Sequence, residues 1–318
     1  MSDTGSHQVL TVADGLLSLE QAIERNSMVR KIQVMKMRGQ ATRPGKHSFR
    51  ITSDGINVFP ASVVYKGYED LEGCKALHSK ERIGLGVPRL DEMLGGGLPS
   101  GYSLLVAGPS GSGKTILATA FLAEGVRLGQ PGVIVAFEQT PSQSWIRTLD
   151  DMINAEHIGL INVRALDLSI DEIVQRLTHM IKAMKATRVV IDSLSGFELA
   201  VAPTFREDFR ESLFRMIGGL ARLGVTVLMT SELEDRYTDL RFSPYGAAFL
   251  TDAIIVQRYI EVNSCLQRVI AVVKVRASAH SNEIRRFDIT DKGIVIGDPV
   301  TGFEGILGGQ PTATKTIE

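Results

Sequence analysis

The 318-residue sequence has few of the features that characterise secreted, membrane-spanning or nucleic-acid-binding proteins. Its two cysteines, Cys74 and Cys265, lie far apart and in no metal-binding spacing, which argues against a disulfide framework and predicts reduced thiols. No apolar run approaches the roughly 20 residues that cross a bilayer, and the initial MSDTGSHQ lacks the basic and apolar parts of a signal peptide. The net charge of -1 provides no overall attraction for a phosphate backbone. We therefore expect a cytoplasmic protein that does not bind membranes. The overall charge gives no reason to expect a nucleic-acid partner, although a local basic stripe is left open.

An internal repeat is present instead. Lys-x-Arg ends a strand-like apolar run twice, in KIQVMKMRG and in VIAVVKVRA, and the offset between Lys36 and Lys274 is 238 residues. The same offset pairs Asp14 with Asp252. A period this long indicates that a domain is repeated and that only the last part of the first copy precedes the second. The predicted segments are a domain remnant at 1–62, a linker at 63–81, a complete domain at 82–308 and a tail at 309–318.

The complete domain alternates strand-like and helix-like patterns. The predicted strands are SLLVAG, PGVIVAFE, INVRAL (161–166), RVVIDS and VTVLMTS, and the predicted helices cover about 114–128, 142–153, 170–185 and 205–222. This alternation predicts an α/β fold with a mainly parallel sheet flanked by helices. The last part of the chain is rich in strand patterns and predicts antiparallel strands at one edge. Two further strands are predicted at 31–37 and 47–58.

A glycine-rich loop lies between the first of these strands and the first helix. The segment GPSGSGKT at 108–115 fits the phosphate-loop pattern G-x-x-x-x-G-K-[ST]. Its glycines allow backbone N–H groups to surround phosphate oxygens, Lys114 is expected to reach the β- and γ-phosphates, and the Thr115 hydroxyl is expected to ligate Mg²⁺. The residues predicted to bind ATP here are Gly108, Pro109, Ser110, Gly111, Ser112, Gly113, Lys114, Thr115 and Ile116.

Three polar residues end two of the other predicted strands. Asp192 follows Val189-Val190-Ile191 and is expected to hold the Mg²⁺ ion or its water. Ser193 has two alternatives, a bond to a water beside the phosphates or a cap on the next turn. Glu138 ends VIVAFE at the edge of the sheet where ligands of α/β folds bind, and it is expected to prepare the attacking water or hydroxyl.

Several motifs together resemble the KaiC-like ATPases of the RecA superfamily. They are RLDEMLGGGLPSG, GPSGSGKT, AFEQTP, VVIDSLSG and the C-terminal LTDAIIVQRYIEV with VVKVRASAHSNEIRRFDITDKGIVI, and they cover roughly 82–308. The segment 30–60 resembles the end of the first of the two tandem domains of KaiC. The resemblance implies a homo-hexameric ring with ATP between subunits, in which Lys274 and Arg276 reach the γ-phosphate bound by the next subunit. The repeat then predicts a longer form of the protein with a second phosphate loop before residue 1.

Two departures from the family pattern affect the expected activity. The family carries two adjacent glutamates after the second strand, whereas Glu138 is followed by Gln139. The adjacent phosphorylated Ser-Thr pair of KaiC is replaced by Ala248 and Phe249, which cannot accept phosphate. Another hydroxyl, such as that of Thr251 or Ser243, is left as an alternative acceptor.

The expected function is therefore ATP hydrolysis at the subunit interfaces of a ring, with serine/threonine autokinase activity and a regulatory or signalling protein partner left open. The alternatives are an ATP-dependent assembly switch with little turnover and a RecA- or RadA-like DNA-dependent ATPase.

Overall fold

The computed structural model describes residues 12–24, 27–60, 81–137, 143–163, 169–201, 209–233, 250–262, 264–308 and 312–313. The first part of the chain forms a four-stranded antiparallel sheet, called the N-terminal sheet below, with strands in the order β1-β2-β3-β4. Its strands are β1 (Gly15–Glu24), β2 (Ser27–Met37), β3 (His47–Thr52) and β4 (Gly55–Phe59).

A nine-stranded sheet forms the main part of the molecule, in the order β15-β14-β13-β12-β7-β11-β10-β8-β9. The elements that follow the N-terminal sheet are β5 (Arg82–Ile83), α1 (Pro88–Met93), β6 (Leu98–Pro99), β7 (Ser103–Gly108), α2 (Lys114–Arg127), β8 (Gly132–Ala136), α3 (Gln143–Asn154), β9 (Ile158–Asn162), α4 (Ile170–Met184), β10 (Arg188–Asp192), α5 (Leu194–Ala200), α6 (Phe209–Arg222), β11 (Thr226–Glu232), β12 (Ala253–Val262), β13 (Cys265–Val275), β14 (Ile284–Thr290), β15 (Gly293–Pro299), β16 (Phe303–Glu304), a 3₁₀ turn (Ile306–Gly308) and β17 (Thr312–Ala313). Six neighbouring strands run parallel to one another, namely β12, β7, β11, β10, β8 and β9. Strands β13, β14 and β15 continue the sheet beyond β12 with antiparallel pairing. The predicted α/β fold with antiparallel strands at one edge is confirmed.

The sheet is buried on both faces. Its central strands carry apolar side chains on both sides instead of alternating apolar and polar ones. In β7, Leu105 and Ala107 face a core that includes α4, α5 and α6, whereas Leu104 and Val106 face a second core that includes α1, α2 and α3. This is the pattern of parallel strands covered by helices on both sides. Within the described residues, no helix is both long and apolar enough to cross a membrane.

Some sequence-based element assignments were wrong. The predicted strand 161–166 lies instead at Ile158–Asn162, and the predicted strand 47–58 is two strands joined by a turn. Strand β1 and helix α5 were not predicted. The sequence of β1, GLLSLEQAIE, has helix-forming residues in its second half, so its strand structure depends on pairing with β2 along its whole length.

The repeat recognised in the sequence is also a repeat of backbone structure. With the offset of 238, the N-terminal sheet reproduces β12 to β15, because Gly15 pairs with Met37 as Ala253 pairs with Val275. Both hairpins contain a register shift at the same place, between Leu16 and Leu17 and between Ile254 and Ile255. The two copies therefore share a bulge as well as residues, and bulges are structural features that alter strand direction.

The N-terminal sheet contacts helix α4 through one face. Ser48 Oγ donates to Ser169 Oγ at 2.7 Å, and Arg50 Nε donates to Glu172 Oε2 at 2.7 Å. Glu172 is 1% exposed and also accepts a bond from Arg176. On the opposite face, Leu17, Leu19, Ile51 and Ile56 are all at least half accessible, whereas Phe49 is buried. The polar face is therefore the one that makes the intramolecular contact.

Candidate functional site

The glycine-rich loop between β7 and α2 forms the centre of the candidate site. Gly111 and Gly113 have φ values of +74° and +97°, in the left-handed region that favours glycine. Gly113 also lacks space for a side chain, because an added Cβ would lie 2.9 Å from Ile289 Cδ1. Gly113 is the N-cap of α2, so the N–H groups of the first helical turn, for which the helix itself provides no acceptor, lie next to the loop. This arrangement favours an anion such as a phosphate.

Lys114 is the first residue of α2 and lies against the inside of the loop. It is 9% exposed, and its Nζ donates to the carbonyl oxygens of Gly108 at 2.9 Å and Pro109 at 2.8 Å. A buried ammonium group needs such acceptors to offset its loss of hydration. The loop therefore contains a positive charge that can also contact bound phosphate oxygens.

Thr115 and Asp192 are brought together across the sheet. Thr115 Oγ1 donates to Asp192 Oδ2 at 2.8 Å, and the other carboxylate oxygen, Oδ1, accepts a hydrogen bond from Thr230. Thr230 is fully buried at the end of β11 and was missed by the sequence reasoning. Thr230 reaches Asp192 because β11 lies between β7 and β10 in the sheet, and this strand order cannot be read from the sequence.

The two remaining strand-end predictions differ in outcome. Glu138 lies outside the described residues, although the preceding Phe137 donates its N–H to the carbonyl of Asp192 at 3.0 Å. Of the two alternatives for Ser193, the capping contact is present, because its Oγ accepts from the N–H of Gly196 at 3.1 Å at the start of α5. Ile116, in the first turn of α2, packs against the second hydrophobic core.

Lys274 and Arg276 lie at the other end of the sheet from the loop. Lys274 pairs with Ile254, and Ile254 pairs with Leu105 near the start of β7, whereas the loop follows the end of β7. Lys274 Nζ donates to the carbonyl of Thr251 at 2.6 Å, and Arg276 is exposed. Burial lowers the pKa of Lys274, and the nearby Arg276 charge lowers it further while Asp252 opposes both. Within one chain, these two cations do not reach the phosphate loop.

A parallel sheet with a glycine-rich loop between β7 and α2, and with antiparallel strands at one edge, defines the class of RecA-like phosphate-loop NTPases. Within this class the chain belongs to the KaiC ATPase family, because the family model described as "ATPase: KaiC" matches residues 1–63 and 83–301.

Three relatives are named as circadian clock oscillator proteins. The chain is 29% identical over 313 residues to KaiC of Picosynechococcus sp., and 28% identical over 313 residues to KaiC of Synechococcus elongatus. It is 29% identical over 316 residues to KaiC 1 of Synechocystis sp.. Each match covers 96% of this chain and 58% of the relative, so the chain spans less than two thirds of the length of these proteins.

Proposed function

We propose that the protein binds ATP with Mg²⁺ in the loop 108–115 and hydrolyses it at the interfaces between subunits of a homo-hexameric ring. The observation that carries this proposal is the position of Lys274 and Arg276 at the opposite end of the sheet from the loop. From Leu105, which is in register with Lys274, to Gly108 the strand covers about 10 Å, at about 3.3 Å per residue. The two cations therefore serve a nucleotide held by a neighbouring subunit, whose negative charge they help to neutralise.

The ATP phosphates would lie against the loop backbone and the start of α2. Both features provide N–H donors, and Lys114 supplies a positive charge with no need for a large movement. The loop residues from Gly108 to Ile116 form this part of the site in the proposal. The site would thus be organised before the nucleotide binds.

Thr115 and Asp192 have the chemistry that Mg²⁺ requires. Their adjacent hydroxyl and carboxylate oxygens are hard donors, which Mg²⁺ prefers, and both residues are only partly buried. A cluster of three or more His, Cys, Asp or Glu residues is absent from the described part of the chain, so the remaining ligands would be water and phosphate oxygens. The bound ion would neutralise charge on the phosphates.

Glu138 would act as the base or the orienting group for the attacking nucleophile. It follows β8, the neighbour of β10, and Ala136 pairs with Asp192, so the chain leaves β8 beside the proposed Mg²⁺ ligand. The nucleophile is water in an ATPase and a serine or threonine hydroxyl in an autokinase. Thr251 is fully buried in the described structure, which favours water over this hydroxyl.

The proposal is tested by incubating the protein with γ-labelled ATP and following free phosphate and labelled protein together. We expect release of free phosphate, and a strong loss of this release in the Arg276→Ala variant. If label appears neither in free phosphate nor in the protein, the proposed enzymatic activity is refuted, and an ATP-dependent assembly switch is the alternative that stands. Stimulation by single-stranded DNA would instead indicate a recombinase-like ATPase, and normal turnover by Arg276→Ala would refute its role between subunits.

A further inference from the structure

A buried glutamine lies directly beneath the phosphate loop. Gln257 is fully buried in β12, on the strand face that packs towards α2. It follows Val256, which is the last residue of β12 paired with β7, opposite Ala107. The side chain is therefore next to Gly108, where β7 ends and the loop begins. A buried amide is unfavourable unless its hydrogen bonds are satisfied, so its presence at this place calls for a role.

Gln257 contacts the loop at two points. Its Oε1 accepts a hydrogen bond from Ser112 Oγ at 3.0 Å, and Ser112 is itself 1% exposed. Its Cβ and carbonyl oxygen would each lie 3.0 Å from a Cβ added to Gly108. Glutamine thus packs against the first residue of the loop and bonds to the fifth. Its Nε2 has no hydrogen-bond partner within the described structure.

The other copy of the repeat provides an internal comparison. With the offset of 238, the residue equivalent to Gln257 is Leu19 of β1, which pairs with Ile32 as Gln257 pairs with Ile270. The same hairpin therefore forms with leucine at this position. Strand pairing does not require the amide, and the contact with Ser112 is the feature that distinguishes the copy beside the phosphate loop.

From these observations we infer that Gln257 is a positioning residue that maintains the phosphate loop in the shape that binds nucleotide. The inference rests on the proposed function. Ser112 lies between Gly111 and Gly113, the two loop residues with positive φ, so fixing its side chain restricts the most flexible part of the loop. A loop ordered in advance loses less conformational entropy when phosphate binds, and the affinity for nucleotide is correspondingly higher.

The test compares Gln257→Leu with wild type in two measurements, ATP affinity by titration with a fluorescent ATP analogue and thermal stability without nucleotide. Leucine has a similar volume and removes a half-satisfied buried amide, which offsets the loss of the acceptor for the buried Ser112 hydroxyl. We therefore expect little change in stability but roughly three- to tenfold weaker ATP binding. A purely structural role would instead lower stability and affinity together, and that result would overturn the inference.

Two further variants sharpen the result. Ser112→Ala should weaken binding to a similar extent, and the double variant should bind no more weakly than either single one, because both substitutions remove the same hydrogen bond. Gln267→Leu is the matched control. Gln267 also has an unsatisfied amide atom, but it pairs with Ile260, whose side chain is in a core cluster away from the loop, so affinity should not change.

The outcomes separate the two proposals. Normal affinity in Gln257→Leu, or additive losses in the double variant, would overturn the positioning role while the proposed function remains. A wild-type protein that binds no ATP would overturn the proposed function, and the role of Gln257 with it. Failure of the proposed function is distinguishable from failure of the positioning role, because wild type and Gln267→Leu would then both fail to bind ATP.

Discussion

Arg276 is anchored to Asp252 by two contacts. Its Nη1 lies 3.3 Å from Asp252 Oδ1, and its backbone N–H donates to the carbonyl oxygen of the same aspartate at 2.8 Å. In the N-terminal sheet Arg38 makes the equivalent contacts with Asp14, at 3.5 and 2.8 Å. Both pairs are accessible enough that the ion pairs contribute little stability. The contacts instead fix the position at which each exposed arginine side chain extends from the sheet.

Mixing two inactive variants tests the proposed action of Arg276 between subunits. Lys114→Met should lack nucleotide binding, and Arg276→Ala should bind ATP but turn it over at least about tenfold more slowly. In mixed rings, an intact Arg276 from the first variant can serve an intact loop in the second, so ATPase activity should return. Arg38→Ala is the matched control and should keep full activity. A mixture no more active than its separate components would contradict the arrangement.

The buried side chain of Arg188 leaves no room for a side chain at Gly125 of α2. Arg188 is fully buried beneath α2, where it donates to the carbonyl oxygens of Gly84 and Phe121. A Cβ added to Gly125 would lie 2.5 Å from Arg188 Cδ. Gly125→Ala should therefore destabilise the protein by about 1–3 kcal/mol, although alanine is the better helix former.

Gly219→Ala in α6 provides the control for this substitution, because an added Cβ there meets no atom within 4 Å. It should increase the free energy of unfolding by about 0.5–1 kcal/mol. Urea denaturation measures both changes. Equal effects of the two substitutions would show that Arg188 moves aside at little cost.

Asp91 gives stability a defined pH dependence. Burial raises its pKa from the ordinary value of 3.8 to about 6, and the nearby Glu124 charge also raises it, whereas bonds from the backbone and the Arg188 charge oppose the rise. The folded state therefore binds this proton more tightly than the unfolded state. The resulting stabilisation is fully present below about pH 4 and is lost as the pH rises through about 6.

Asp91→Asn should remove this dependence. Relative to the variant, the wild-type protein should lose free energy of unfolding between pH 4 and pH 6.5. Urea denaturation over this range measures the difference, and parallel stability curves for the two proteins would contradict the assignment to Asp91.

The contact between the N-terminal sheet and α4 depends on one carboxylate. Glu172 is 2% exposed in its side chain and binds both Arg50 and Arg176. Glu172→Gln should cost about 1–3 kcal/mol, because it leaves charged donors without their anion. Glu20→Gln removes a solvent-exposed pair with Lys46 in the same sheet and should change stability by less than about 0.5 kcal/mol. Similar losses in both variants would mean that burial of Glu172 has no energetic importance.

Local sequence patterns predicted the loop, its flanking elements and the buried strands, because these features depend on neighbouring residues. The glycines of the loop and the apolar run before Asp192 are of this kind. Contacts between distant residues were not predictable in the same way. Thr230 reaches Asp192 only because β11 inserts between β7 and β10, and the Ser112–Gln257 bond joins residues 145 positions apart. The position of Lys274 relative to the loop likewise follows from strand register.

Strand β12 contacts the phosphate loop at its middle, through Gln257, and begins directly after Asp252, the anchor of Arg276. The four residues Ala253 to Val256 pair with β7 between these places. A single-residue insertion among them would turn Gln257 to the opposite face and leave Asp252 where it is. In the proposed ring, the distance between the nucleotide site of a subunit and the arginine that it offers to its neighbour would therefore be set by a strand length. That length can change without reversing side chains only in steps of two residues.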